Sequence, residues 1–111
     1  MLEDKHCEPC EDKTGILNAL EIQSHLKKVK GWVLEDGNKK ISKTFNFLNF
    51  CYALIFINQV GEIAEDEAHH PDILLFNYNK VKISLSTHSV KGLTKNDFIV
   101  AAKIQALGDR P

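Results

Sequence analysis

The apolar positions Ile22, Leu26 and Val29 recur on one helical face after Asn18, and the run closes at Gly31. Asn18 is placed to cap this helix, and Glu21, three residues on, completes a capping box. Lys27, Lys28 and Lys30 suit the negative end of its dipole. The period then changes. Trp32 to Leu34 and Ile41 to Phe47 flank the turn signal Asp36-Gly37-Asn38, and Ile41, Lys43, Phe45 and Phe47 alternate with polar residues. This predicts a β-hairpin with one buried face, in which Lys43 is the imperfection. After Asn49, the residues Phe50, Ala53, Leu54, Ile57, Val60 and Ala64 follow a period of about 3.6 and predict a long amphipathic helix toward Glu67. Pro71 disfavours helical geometry at His70, so that helix must end near there.

Ile73 to Tyr78 reads as a third strand, with Asn77-Tyr78-Asn79-Lys80 as a turn. Val81, Ile83, Leu85 and Thr87 alternate with Lys82, Ser84, Ser86 and His88, which predicts a half-exposed fourth strand. Gly92 breaks the chain and Thr94 can cap a last helix, outlined by Phe98, Ala101, Ala102 and Gln105 with Ile99 and Leu107, that ends at Gly108. The order α-β-β-α-β-β-α predicts an α+β fold, a four-stranded antiparallel sheet with helices packed on one face. The other face is then either solvated or covered by a second copy of the chain, and exposed sheet edges favour homo-oligomerisation. Residues 1–13 show no apolar spacing and read as an irregular or frayed arm, leaving 14–111 as a single domain.

Composition agrees with one domain: 111 residues, 43% apolar and 26% charged. The net charge is −1, and every basic residue except Arg110 is lysine, which argues against direct nucleic-acid binding. The acidic stretch from Met1 to Asp12 does not resemble a secretory signal, so a cytoplasmic location is expected. Thr44 to Gly61 is uncharged, yet Thr44, Asn46, Asn49, Asn58 and Gln59 make it a poor membrane span. Three cysteines do not suggest a disulfide framework. Cys7-Glu8-Pro9-Cys10, beside His6, has the spacing of a zinc pair, but no second CxxC or HxxxH exists, so no metal is assigned. Cys51 and Trp32 read as core residues.

Proton chemistry near neutral pH points to histidine, and His69, His70 and His88 all fall at element ends. Adjacent His69 and His70 should point in different directions and need not share a role. The plain alternative for the pair is a dipole partner at a helix end. Glu62, Glu65, Asp66 and Glu67 read as a solvated face, although Glu65 lies four residues before His69 and so on the same helical side, where it could raise the basicity of that imidazole. Asp97 occupies the third helical position of the Thr94 capping box, and on local grounds it is equally a structural or a catalytic residue.

The segment Glu65-Asp66-Glu67-Ala68-His69-His70-Pro71, then Tyr78, Ser86-Thr87-His88 and Asp97, resembles the signature of the pterin-4a-carbinolamine dehydratases in residue types and intervals. Gly31-Trp32, Phe45-Asn46-Phe47, Gly92-Leu93-Thr94 and Asn96-Asp97-Phe98 extend the resemblance across Leu17 to Leu107. Lys43 departs from it where the family often carries arginine, and the loop before Tyr78 is long. The resemblance implies dehydration of a 4a-hydroxytetrahydropterin to quinonoid dihydropterin, recycling the pterin of aromatic amino acid hydroxylases without a metal or redox cofactor. It implies His69 and His88 as the acid-base pair, His70 as a catalytic-pocket residue that contacts the pterin, and Asp97 as the group fixing an imidazole tautomer. Glu65, Ala68, Ser86, Thr87 and Ser89 join the histidines as pterin contacts. Implied partners are a second copy, as homodimer or homotetramer, and a pterin-dependent hydroxylase or regulatory protein. The alternative on the same fold is a non-catalytic protein-interaction or transcriptional cofactor module.

Overall fold

The computed structural model describes residues 2–8 and 15–108. Helix α1 spans Ala19–Leu26, and both halves of the Asn18–Glu21 capping box are made. It ends before Gly31, in a turn where the Lys28 and Val29 amides donate to the His25 and Leu26 carbonyls. Gly31 then takes a φ of +83°, which only glycine adopts freely, and the chain enters the sheet. Strands β1 (Val33–Glu35) and β2 (Lys40–Asn46) form the expected hairpin. Asp36, Gly37 and Asn38 all have positive φ in its turn, which is why that sequence signals one.

Helix α2 runs Phe50–Glu67, with the Asn49 side chain accepting from the Tyr52 amide. Strand β3 is Asp72–Phe76, starting one residue earlier than expected and ending two earlier, because Asn77 and Tyr78 have φ of 47° and 55° and already belong to the turn. Strand β4, Lys80–Leu85, is also shorter; Thr87 pairs beyond it only as an isolated bridge to Gly92. Helix α3, Lys95–Leu107, begins at Thr94 and ends at Gly108 as its caps predict.

The element order is α-β-β-α-β-β-α, and the four strands form one antiparallel sheet in the order β1-β2-β4-β3. Ile41, Phe45, Val81, Ile83 and Leu85 are buried from the two central strands, and Ala53, Phe56, Val60 and Ala64 from α2. Helix α3 is buried over most of its circumference, with Asn96 through Ala102 and Ile104 withdrawn from water. Trp32 is buried against the edge of Phe45 and donates to Gln105. Lys43 solves its awkward inward position by reaching over the Phe45 ring to the Lys30 carbonyl and Gln105. On the opposite face, Lys82 pairs with Glu35 and Lys80 donates to Asn46, a polar ladder compatible with water.

Three expectations change. Phe50 and Leu54 are 48% and 41% exposed, and Cys51 is exposed too, because the buried line of α2 runs through Ala53, Phe56, Val60, Ala64 and Glu67. A rotation of one residue around a helix moves a side chain by about 100°, enough to turn these positions outward. Glu67, grouped by sequence with a solvated face, lies on the buried line. Residues 2–8 are docked rather than frayed: Leu2–Asp4 forms a 3₁₀ turn with Leu2 buried in the main core, and Lys103 donates to the Glu3 carbonyl. Pro9 to Thr14, including Cys10, lie outside the described residues.

Candidate active site

Helix α2 stops at Glu67 because Ala68 adopts a left-handed conformation, φ 51° and ψ 40°. That reversal redirects the chain. His69 is carried toward the N-terminus of α3, where its Nε2 lies 2.6 Å from Oδ1 of Asp97. Asp97 is fully buried, while the His69 side chain retains 12% exposure. The other carboxylate oxygen, Oδ2, accepts from the Thr87 hydroxyl at 2.7 Å and the Thr94 amide at 3.0 Å. Thr87 and Thr94 hydroxyls are themselves 2.9 Å apart. Asp97 is therefore both the capping-box residue and the anchor of a histidine. Since Thr87 and Thr94 already donate to the carboxylate, the simplest complement is for His69 to donate Nε2–H, leaving Nδ1 as the unprotonated nitrogen.

His70 points elsewhere, as expected of neighbouring residues beside Pro71. Its Nε2 meets Oε2 of Glu65 at 2.5 Å, on the exposed surface. Glu65 thus pairs with His70 and not with His69. The four-residue helical spacing fails because the helix has ended before His69 is reached.

A cleft of about 590 Å³ lies beside these groups. Of the residues singled out in the sequence, it gathers Ala68, His69, His70, Ser86, Thr87, His88 and Ser89. The loop after β4 supplies the last four, held by the reciprocal backbone bonds of Thr87 and Gly92. Asp97 sits behind His69, out of the lining; Glu65 and Tyr78 also lie outside it, and Tyr78 is exposed on the β3–β4 turn.

Cys7, Glu8, Asp66, Glu67 and Asn96 line the same cleft and were not among the candidates from sequence. The Cys7 thiol is half-buried, and burial followed by the Glu67 charge pushes its pKa up to about 12. Burial alone would raise Glu67, but the Cys7 amide, His6 and Lys103 together outweigh it and hold the carboxyl below its ordinary value. Asn96 was visible only as the neighbour of Asp97, and its contacts with the arm are long-range. Among the described residues, no three His, Cys, Asp or Glu side chains are grouped so as to hold a metal ion, and no helix is long and apolar enough to cross a membrane.

Comparison with known proteins agrees with the geometry. The family model for pterin 4 alpha carbinolamine dehydratase matches residues 16–107. A protein of Halorhodospira halophila named "Putative pterin-4-alpha-carbinolamine dehydratase" is 43% identical over 107 residues, covering 96% of this chain and 97% of its own. "Pterin-4-alpha-carbinolamine dehydratase 2, mitochondrial" of Arabidopsis thaliana is 44% identical over 111 residues, covering 96% of this chain and 58% of its own. A solved structure described as a transcriptional coactivator/pterin dehydratase from Brucella melitensis superposes with a TM-score of 0.78 at 35% identity, covering 83% of this chain and 97% of that one. A pterin dehydratase-like protein described as a RuBisCO assembly factor in the alpha-carboxysome shares the fold, with a TM-score of 0.61 at 21% identity over 73% of this chain and 93% of that one. By sequence, by fold and by the interval of its histidines, the chain belongs to the pterin-4a-carbinolamine dehydratase family.

Proposed function

We propose that this protein is a dehydratase that converts a 4a-hydroxytetrahydropterin to the quinonoid dihydropterin and water. The observation that carries the reading is the His69–Asp97 pair, with a buried carboxylate fixing one imidazole at the wall of a cleft that also holds His88. In the reaction the C4a–O bond breaks, the departing hydroxide takes a proton and leaves as water, and a ring N–H proton passes to a base. Each proton needs a partner, and two imidazoles at one cleft, each able to give or take a proton, suit the two transfers. Asp97 holds Nε2 of His69, so Nδ1 is the nitrogen available for transfer. His70, tied to Glu65 at the rim, shapes the pocket, while Ala68, Ser86, Thr87 and Ser89 present side chains and backbone to the pterin. Loss of water changes no net oxidation state, so the step needs no redox cofactor.

The same reading takes the protein as a cytoplasmic homo-oligomer that supplies recycled pterin to an aromatic amino acid hydroxylase. Exposed Tyr52 and Ile55, which lie together on α2, support a second copy, since an apolar surface patch often marks a protein interface. The coactivator description of the Brucella structure favours a second reading, a protein-interaction module on the same fold. A binding-only module has no evident need for the His69–Asp97 pair.

The test is the decay of freshly generated 4a-hydroxytetrahydropterin, followed by stopped flow. Wild type should accelerate it, and His69→Ala and His88→Ala should each slow the enzyme by about 10²-fold or more, the usual worth of a general acid or base. Full activity in either folded variant removes that histidine from the acid-base pair.

A further inference from the structure

Residues 2–8 run along α3 from Lys103 to Asn96 and so reach the histidine cleft, where two clasps hold them. At the first, the buried Glu67 carboxylate accepts from the Cys7 amide at 2.6 Å and from His6 Nδ1 at 2.8 Å, with Lys103 Nζ 3.6 Å away. At the second, the Asn96 side chain pairs with the backbone of Glu8 in both directions: its Oδ1 accepts from the Glu8 amide, and its Nδ2 donates to the Glu8 carbonyl. The Cys7 thiol adds a weak bond to the Asn96 carbonyl at 3.6 Å. Both anchors sit beside catalytic candidates, since Glu67 is two residues before His69 and Asn96 is next to Asp97. The clasps therefore fix Cys7 and Glu8 in the lining of the cleft that holds His69 and His88. Residues 6–8 also lie outside the segment 16–107 matched by the family model.

We propose that Cys7 and Glu8 form a substrate-contacting wall of the cleft and that Glu67 and Asn96 are the positioning residues that hold it. The proposal rests on the dehydratase reading, and the chemistry suits a pterin. A neutral thiol is a soft, polarisable surface for the face or edge of a flat heteroaromatic ring. A carboxylate matches the row of N–H donors on a 2-aminopyrimidinone edge. Glu67 is well suited to its positioning role, because its charge is stabilised by three donors while its side chain is withdrawn from water.

The experiment uses 7,8-dihydrobiopterin, a stable pterin, titrated calorimetrically into wild type, Glu67→Gln and Asn96→Ala. Both variants should bind it roughly tenfold more weakly, the scale of one lost or misplaced contact in a site. In the decay assay their KM should rise by more than their kcat falls, a split that loss of folded protein alone does not produce. An independent readout is the alkylation of Cys7 by iodoacetamide in a Cys10→Ser, Cys51→Ser background. The pterin should slow it, and Glu67→Gln should speed it. If Asn96→Ala does not fold, Cys7→Phe, which keeps the backbone clasps and narrows the cleft, should weaken binding in the same way. Unchanged affinity in folded variants, with no protection of Cys7 by the pterin, overturns the wall but leaves the dehydratase reading standing. A wild-type protein that binds no dihydrobiopterin and leaves the decay unaccelerated overturns both.

Discussion

Replacing Asp97 separates its two roles. In Asp97→Ala, the α3 capping box is lost at a cost of about 1 kcal/mol, and the Thr87 hydroxyl and His69 Nε2 lose their buried carboxylate acceptor at about 1–3 kcal/mol more. The sum, about 2–4 kcal/mol, is a large part of the 5–15 kcal/mol that holds a typical domain together. Asp97→Asn is the more informative change. With its amide oxygen at the Oδ2 position, asparagine still accepts from Thr87 and Thr94, so stability should fall by only about 1 kcal/mol. Its NH₂ group then faces Nε2 of His69, where a donor meets a donor unless the imidazole moves its proton to Nδ1. The wrong tautomer leaves the ring in place but reverses its role, and the rate should drop by about 10²–10⁴-fold. Urea denaturation followed by Trp32 fluorescence measures the stability, and stopped-flow decay of the carbinolamine measures the rate. A folded Asp97→Asn protein whose kcat stays within about threefold of wild type would refute the role given to the pair.

Three further outcomes follow from the packing and charge. Phe56→Ala empties a site where the Phe45 and Phe47 rings lie at 4.7 and 4.9 Å, and should cost about 3–5 kcal/mol by urea denaturation; a loss below about 1 kcal/mol contradicts the core assignment. Gly31→Ala places a Cβ at positive φ and 3.0 Å from Cε of Lys43, so about 1–2 kcal/mol should be lost, whereas an unchanged midpoint argues against the turn. Glu67 is held below the ordinary carboxylate value of 4.5, so its clasp contributes stability that is complete above that pH and is lost as pH falls through the depressed folded value. The stability gap between wild type and Glu67→Gln should accordingly shrink in acid, and a gap that stays constant with pH counts against an ionised Glu67.

The parts of the fold that follow from neighbouring residues could be read directly. Thr94 and Gly108 bound α3 because caps act within one turn, and the alternation of Val81, Ile83 and Leu85 appears as the buried face of β4 because adjacent strand residues point to opposite sides. The interval signature likewise brought His69, His88, Ser86 and Thr87 to one cleft. What could not be read depends on contacts distant in sequence or on rare backbone. Nothing local marks Ala68 as left-handed, an uncommon state for a residue with a Cβ, and that one torsion moves Glu65 from His69 to His70. The burial of Glu67 and the docking of Cys7 and Glu8 depend on partners some 60 and 88 residues away. No periodicity records them.

The most direct measurement compares the decay of 4a-hydroxytetrahydropterin alone, with wild-type protein, and with the His69→Ala, His88→Ala double variant at matched concentration. The proposed chemistry predicts marked acceleration by wild type and a return to the spontaneous rate with the folded double variant. Decay that wild type leaves unchanged, or that the double variant accelerates equally, contradicts catalysis by these histidines.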